Sequence, residues 1–293
     1  MDNLRGALLM VFAMAGFAVE DALIKILSRS VPMGMVMICL GAGGALGFAL
    51  LARRAGVAAL TRCFWHPMVL LRNLAEIAGT AAFVSALSLI PLSLATALLQ
   101  TNPLFVSLGA IVFFGERVGW QRWVAIGVGL AGVLVILRPG FASSDPKALL
   151  AVFAAFSLAM RDLALRHCPA GVHPRQLSAW GFAMLIPIGL AMLAFDSGPV
   201  RPGLREAGLM LAIIALGMGG YHALTHAMRA GEVGVVTPFR YVRVVFGFAL
   251  AWAVFGERPD LWMFVGAAIV VGAGLHTLLR EGRAARRVAK AAA

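Results

Sequence analysis

The amino-acid sequence predicts an all-α membrane protein with ten transmembrane helices in a five-plus-five inverted repeat. Three observations support this fold class. Hydrophobic residues make up 61% of the 293 residues, and the mean hydropathy is +0.91. Only 13% of the residues are charged, whereas about a quarter of the residues in a soluble domain are charged. The third observation is that the chain resembles itself at an offset of 141 residues.

Each span is predicted from one apolar run. A helix needs about 20 apolar residues to cross the hydrocarbon core. Backbone groups in lipid must be hydrogen-bonded internally, so each run should be helical. Residues 77–115 contain no charge and are long enough for two spans, with Pro91 at the turn between them. In chain order the predicted spans are 4–27, 32–52, 67–89, 93–114, 120–137, 147–165, 176–195, 205–228, 233–255 and 261–279.

The basic residues predict the orientation of these spans. The net charge is +12, and cytoplasmic loops of membrane proteins carry an excess of Lys and Arg. One side of the predicted membrane collects fourteen Lys and Arg residues and the other collects six, which places both termini in the cytoplasm. The bilayer explains the basic excess without a nucleic-acid partner. The basic tail at 280–287 is expected to lie against anionic headgroups.

The internal repeat divides the chain into residues 1–140 and 141–293, the latter including the basic cytoplasmic tail. The sequence Phe-Gly-Glu-Arg at 114–117 recurs at 255–258, and the same register aligns two acid–base pairs, Asp21 with Asp162 and Lys25 with Arg166. Each half holds five spans, an odd number, so the halves must enter the membrane in opposite senses. Inverted repeats are a common plan of secondary transporters, with the substrate near the midplane where the halves meet.

The fourth span carries a family resemblance. Residues 98–105 (LLQTNPLF), followed by 113–117 (FFGER), resemble the fourth-helix signature of the EamA family in the drug/metabolite transporter (DMT) superfamily. The resemblance implies ten helices in a five-plus-five inverted repeat and transport of small molecules. The second half departs from the pattern, because Val244 stands where Pro103 has its counterpart and Pro238 lies six residues earlier. Within the superfamily the chain looks most like bacterial amino-acid exporters of the YddG type, which implies the bacterial inner membrane.

Polar groups inside the spans are the candidate substrate ligands. Placing them in lipid costs free energy, so those that occur there are by default candidates for a function. Proline leaves a backbone carbonyl without its helical partner, and an arginine can bind a carboxylate through two hydrogen bonds. An alternative is that Arg240 and Arg243 pair with Glu76 or cap helix carbonyls. The candidates are Glu76 and Thr80 in the third span, Gln100, Asn102 and Pro103 in the fourth, Tyr221 and His222 in the eighth, and Pro238, Arg240, Tyr241 and Arg243 in the ninth.

Two acid–base pairs at i,i+4 spacing are candidate gates. Asp21 with Lys25, and Asp162 with Arg166, have the order that favours pairing on a helix, and they fall at opposite faces. They could latch the two faces alternately or simply solvate helix ends. The neighbouring Glu20 could relay protons or bind a cation, or lie near the interface without such a role.

The histidines leave a metal site as an alternative. His222 and His226 share a helix face at i,i+4 spacing, but a catalytic metal needs at least three ligands, and the remaining histidines fall near span ends. The prediction is therefore that the chain is not an enzyme and uses no metal or cofactor. A membrane-embedded metal enzyme is kept as the alternative from another class.

The predicted function is secondary transport by alternating access. The leading cargo is an amino acid, with aromatic amino acids among the candidates, and export is the expected direction. The alternative cargo is a cationic drug or a nucleotide- or phosphate-linked metabolite. The chain lacks a GxxxxGK[ST] motif, so it does not drive transport with its own ATPase. Its partners are a small-molecule substrate and the bilayer, and glycine-rich faces allow either a monomer or a homodimer.

Overall fold

The computed structural model describes residues 2–58, 60–116, 119–138, 145–169, 171–195 and 200–291. Those residues form helices and contain no strand, and ten of the helices are long and apolar enough to span a membrane. The all-α class and the ten predicted spans are confirmed. In order, the spans are Asn3–Leu27, Met33–Arg54, Pro67–Leu89, Leu92–Phe114, Trp120–Leu137, Pro146–Leu165, Pro174–Ala194, Leu204–Ala230, Thr237–Phe255 and Leu261–Leu279.

Two parts of the predicted organisation involve residues or side chains that the structure does not describe. The division between the halves, at residue 140, lies outside the described residues. The side chains of the basic tail at 280–287 lie outside them as well.

Local sequence explains where several spans begin and end. The third and seventh spans open with proline in the first turn, preceded by a histidine whose ring accepts a backbone N–H, because proline needs no hydrogen-bond acceptor there. The fourth and ninth spans end at Gly115 and Gly256, which have φ of +63° and +64°. Glycine adopts this left-handed conformation without strain. The repeated Phe-Gly-Glu-Arg sequence therefore ends both helices and places a glutamate just beyond each.

Neither the fourth nor the ninth span is one continuous α-helix. The fourth consists of Leu92–Leu99 and Asn102–Phe114, with Pro103 in the first turn of the second segment. The ninth begins as the 3₁₀ turn Thr237–Tyr241 and continues as Val242–Phe255. The short helix Val233–Val236 precedes this turn, so the helical segments begin at the predicted residue 233. They do not form one continuous α-helix, because Pro238 has no N–H to donate to the helical hydrogen bond. Both α-helical segments after the break start at equivalent positions, 102 and 242, within one residue of the 141-residue offset.

The packing of the spans follows a pseudo-two-fold axis. The first span packs on the eighth as the sixth packs on the third, and the first contacts the ninth as the sixth contacts the fourth. Three further pairs relate each span to its own counterpart: the second with the seventh, the fourth with the ninth, and the fifth with the tenth. The predicted inverted repeat is therefore present in the packing. Its axis runs between the broken fourth and ninth spans.

Glycines allow the paired counterparts to approach closely. A Cβ on Gly34 would lie 2.6 Å from the carbonyl oxygen of Gly189, and one on Gly189 would lie 2.7 Å from that of Gly34. Gly132 and Gly266 make the same kind of contact between the fifth and tenth spans. Small residues at helix crossings are how membrane helices gain van der Waals contact. The halves are thus held together outside the polar centre by backbone packing.

Candidate transport site

An ion pair between the first and ninth spans joins the two halves, next to the 3₁₀ turn of the ninth span. Arg243 of the ninth span donates to one carboxylate oxygen of Asp21 in the first span, from Nη2 at 2.6 Å and from Nε at 3.2 Å. The guanidinium carbon lies 5.4 Å from the Phe17 ring and 5.7 Å from the Phe83 ring. Aromatic faces attract a cation at such distances. The pair is therefore held in place by the first, third and ninth spans together.

Glu20 lies beside this pair without a hydrogen bond to any described residue, although only 9% of its surface is exposed. A Cβ on Gly217 of the eighth span would lie 2.6 Å from one of its carboxylate oxygens. The absence of a side chain at Gly217 is what lets this carboxylate sit against the eighth span. Burying a carboxylate without a partner costs free energy of folding. Stability therefore does not explain why Glu20 occupies this position.

A second ionic network lies between the third and sixth spans. Glu76 accepts from Arg72 at 2.6 Å and from Arg161 at 2.9 Å, and Arg161 also binds Asp162 at 2.8 Å. Arg72 donates a further hydrogen bond to the carbonyl of Leu177 in the seventh span. The alternative that Arg240 and Arg243 pair with Glu76 is wrong, because the carboxylate oxygens of Glu76 are occupied by arginines of its own and the neighbouring span.

The 141-residue offset makes these two clusters equivalent, with one difference. It aligns Glu20 with Arg161 and Gly217 with Glu76. Where the third span packs on the sixth, an arginine therefore meets a glutamate. Where the first span packs on the eighth, a glutamate meets a glycine. One cluster has its glutamate paired with arginines, and the other has a buried carboxyl group with no hydrogen-bond partner among the described residues.

The two helix breaks are connected to each other. The amide of Gln100 donates to the carbonyl of Arg240 at 3.3 Å, and the amide of Asn102 donates to the carbonyl of Ala155 at 3.2 Å. The predicted ligands Gln100 and Asn102 thus each use a donor within the protein. Pro103 and Pro238 lie beside the breaks themselves.

The remaining candidates of the third and ninth spans make few polar contacts. The side chains of Thr80 and Arg240 are half-buried and make no hydrogen bond to a described residue. The hydroxyl of Tyr241 is buried without a partner and lies against Gly274 of the tenth span. Arg243 instead binds Asp21 of the first span, so these two predicted substrate ligands face different spans.

Tyr221 and His222 lie at a different place from the central pair. They line a cleft between the second, seventh and eighth spans, where the Tyr221 ring contacts Phe48 edge-on. The rings of His222 and His226 are 4.3 Å apart, and both residues are exposed. Across the described ranges, no group of three or more His, Cys, Asp or Glu side chains is arranged to hold a metal ion.

The predicted gate pairs are wrong as pairs. Asp21 binds Arg243 instead of Lys25, and Asp162 binds Arg161 instead of Arg166. Lys25 donates to the carbonyls of Leu87 and Ile90 at the end of the third span. The reason is that partners from other spans compete with the i,i+4 neighbour, and helix spacing alone cannot reveal them.

The glutamates of the repeated sequence take the place of those pairs. Glu257 accepts from the backbone N–H groups of Leu92 and Ser93 at 2.7 and 3.0 Å and from the Ser93 hydroxyl at 2.7 Å. It thus caps the fourth span from the other half, with Lys25 4.0 Å away. A carboxylate at a helix N-terminus is stabilised by the exposed N–H groups and the helix dipole.

At the opposite face the equivalent residues make looser contacts. Glu116 lies 3.4 Å from Arg122 and 3.4 Å from Arg166. The side chain of Arg166 is 50% exposed and that of Glu116 is 39% exposed, against 14% for both Lys25 and Glu257. One face of the protein is therefore sealed by a buried polar cluster, and the other is not.

Sequence reasoning missed five of the residues that build these clusters, namely Phe17, Arg72, Phe83, Glu116 and Glu257. The glutamates could have been found, because the repeated Phe-Gly-Glu-Arg sequence singles them out. Phe17, Phe83 and Arg72 carry no such signal, since aromatic residues are common in apolar spans and the partners of Arg72 are set by packing.

Comparisons with known proteins agree with this architecture. The EamA-like transporter family matches the chain twice, at residues 4–138 and 146–278. A solved crystal structure has a TM-score of 0.61 at 19% identity and covers 97% of this chain and 98% of that one. At this identity the likeness supports the fold alone.

Three relatives are named transporters. A riboflavin transporter of Rhizobium johnstonii is 32% identical over 83% of this chain and 82% of its own length. A pseudopaline exporter of Pseudomonas aeruginosa is 30% identical over 91% and 93%. An S-adenosylmethionine uptake transporter of Rickettsia bellii is 28% identical over 76% and 75%. Together with the two family matches, these relatives show that the chain is a small-molecule membrane transporter and belongs to the EamA-like transporter family.

Proposed function

We propose that this transporter exports a small zwitterionic metabolite of the amino-acid type, as the likeness to YddG-type exporters also suggests. The observation that carries the proposal is the unpaired carboxylate of Glu20, which faces Gly217, whereas the equivalent interface between the third and sixth spans holds a complete ion pair. An ammonium group on the cargo would supply the missing positive charge. Such a contact is worth most in a site shielded from water.

Arg243 is the proposed ligand for the carboxylate of the cargo. It uses Nε and Nη2 for one oxygen of Asp21, and its Nη1 has no hydrogen-bond partner among the described residues. Because Arg243 lies beside Glu20, an amine and a carboxylate on neighbouring atoms of one cargo molecule could engage both side chains. Phe17 and Phe83 would add an apolar wall for its side chain.

Alternating access would proceed by exchange of the polar seals at the two faces. The Glu257 and Lys25 cluster closes one face, and the more exposed Glu116 and Arg166 occupy the other. The distribution of Lys and Arg supports an outer position for the sealed face and a cytoplasmic position for both termini, in the inner membrane of a bacterium. This conformation would therefore accept cargo from the cytoplasm. Lys25, Arg166, Asp21 and Asp162 remain candidate gating residues, each with its new partner.

Two other cargo classes compete with this proposal. A cationic compound would need only Glu20, and a phosphate-linked metabolite would need only Arg243 and Arg240. The names of the relatives cover riboflavin, pseudopaline and S-adenosylmethionine, with both export and uptake. Members of this family thus differ in cargo and in direction of transport. The charged groups of the site are therefore the basis for choosing among the cargo classes.

The test is efflux from proteoliposomes loaded with an amino-acid mixture together with phenethylamine and N-acetylphenylalanine. The amine lacks the carboxylate of phenylalanine, and the acetylated acid lacks its ammonium group. Efflux is counted as the excess over protein-free liposomes, because the neutral form of phenethylamine crosses lipid unaided. We expect this excess for amino acids and none for either analogue. The Glu20→Gln variant should lower amino-acid efflux by at least about 30-fold, since removing one charge of a buried pair costs about 2 kcal/mol or more.

Glu20→Asp is the matched variant, because it keeps the charge and should retain part of the efflux. Phenethylamine efflux without amino-acid efflux would replace the proposal with a carrier for cations. Efflux of N-acetylphenylalanine that Glu20→Gln leaves unchanged would indicate a carrier for anions.

A further inference from the structure

A second polar site lies between the second, seventh and eighth spans, where Tyr221 in its lining is close enough to Arg161 of the Glu76 network to interact with it electrostatically. It is a cleft of about 190 Å³ lined by twelve residues. Two arginines, Arg175 and Arg229, and three histidines, His173, His222 and His226, lie in this lining, which contains no Asp or Glu. The cleft is therefore strongly biased toward positive charge.

The arginines are placed differently in the cleft. Arg175 donates to the carbonyl of Leu51 at 2.9 Å, which fixes its guanidinium at the end of the second span. Arg229 is exposed and has no ion-pair partner among the described residues. Both can still donate to a ligand, because a guanidinium carries five N–H donors.

The start of the seventh span adds to the positive potential. This helix begins at Pro174, in the wall of the cleft, and His173 caps it by accepting from the N–H of Arg175. The positive end of the helix dipole thus points to the same place. Hydroxyl groups of Ser178, Tyr221 and Thr225 complete the polar part of the lining.

The remaining wall of the cleft is apolar and near the membrane surface. Phe48, Leu51 and Ala55 line it at the end of the second span, next to the exposed Arg53 and Arg54. By the distribution of basic residues this is the cytoplasmic face. A ligand here would meet cationic groups on one side and an apolar surface on the other.

We infer that this cleft binds a phosphate ester, either the headgroup of an anionic lipid or a soluble organic phosphate. Arginine and histidine side chains together recognise phosphate oxygens, and the dipole of the seventh span adds positive potential. The two arginines and the lack of carboxylates make the same cleft unsuited to a metal ion. This site goes beyond the proposed export of zwitterions, since it uses neither Glu20 nor Arg243.

The test is titration of the purified full-length protein in detergent with two probes, glycerol 3-phosphate and dihexanoyl phosphatidylglycerol. Binding is measured by calorimetry, and dihexanoyl glycerol serves as the probe without phosphate. We expect the Arg229→Gln/His226→Gln double variant to lose at least about tenfold in affinity for the phosphate probe that binds, the loss expected when hydrogen bonds to a charged group are removed. Arg205→Gln, an exposed arginine at the other end of the eighth span, should bind like the wild type.

The two probes distinguish the sources of the phosphate. Binding of both supports a site for soluble phosphate esters, and binding of the phosphatidylglycerol alone supports a lipid-headgroup site. Equal affinity for dihexanoyl glycerol, or an unchanged affinity in the double variant, would overturn the inference. So would the failure of both phosphate probes to bind. A Glu20→Gln protein that still binds the phosphate probe would separate this site from the proposed cargo site.

Discussion

Replacing Arg243 with alanine is expected to reduce cargo efflux by at least about 30-fold, because a buried charge pair loses one partner. The change leaves Asp21, of which only 3% is exposed, beside Glu20 with no guanidinium between them. Two carboxylates would then share a site with no cation bound to either. The cargo would also lose the donor proposed for its carboxylate. The measurement is the initial rate of amino-acid efflux from proteoliposomes of equal protein content.

Two further variants separate a lost ligand from a lost fold. Asp21→Asn/Arg243→Gln replaces the ion pair by neutral groups of similar size and should fold but not transport, which size-exclusion chromatography and thermal melting can check. Arg205→Ala removes an exposed arginine and should transport normally. If well-folded Arg243→Ala protein exports at the wild-type rate, Arg243 is not a ligand of the cargo.

Replacing Glu257 with glutamine is expected to open the sealed face. The carboxylate accepts three hydrogen bonds at the start of the fourth span, and a neutral amide would keep fewer of them and lose the attraction to the helix dipole. Loss of a helix cap costs about 1 kcal/mol or more. The balance between conformations should therefore shift by at least about fivefold toward the state that is open at this face.

Thiol labelling can measure this shift. A cysteine at Ile90, which is 2% exposed beside the sealed cluster, would report opening in a background without Cys39, Cys63 and Cys168. Its labelling rate should rise at least about fivefold in Glu257→Gln. Glu116→Gln is the matched control, since Glu116 is the repeat equivalent at the other face, and it should not increase the rate. Equal labelling in the wild type and Glu257→Gln would mean that Glu257 does not hold this face closed.

Much of the fold could be predicted from the sequence, for physical reasons. Lipid requires long apolar runs, so hydropathy locates the spans, and Pro67, Gly115 and Gly256 mark span ends through backbone geometry. The break in the ninth span was not predicted, although Pro238, which lacks a backbone N–H, marks its position. The repeat offset was more informative than any single motif, since it also aligned the two broken helices.

The contacts of the site were harder to predict. Asp21 and Arg243 are separated by 222 residues, and helix spacing favoured Lys25 as the partner of Asp21. The unpaired state of Glu20 depends on Gly217 in another span, which becomes visible only when the two clusters are compared by the 141-residue offset. Residue types could therefore identify candidates, but the packing of five spans on five decides which of them meet.

Transport by alternating access requires the seam between the two inverted halves to open at each face in turn. A cross-link across the sealed face tests this requirement directly. Arg29 and Phe255 approach each other there, with 5.7 Å between the guanidinium carbon and the ring centre, and neither belongs to the Glu257 cap. In an Arg29→Cys/Phe255→Cys protein without other cysteines, a cleavable thiol cross-linker should stop efflux, and reduction should restore it. Efflux by the fully cross-linked protein at the rate of its reduced form would contradict the account.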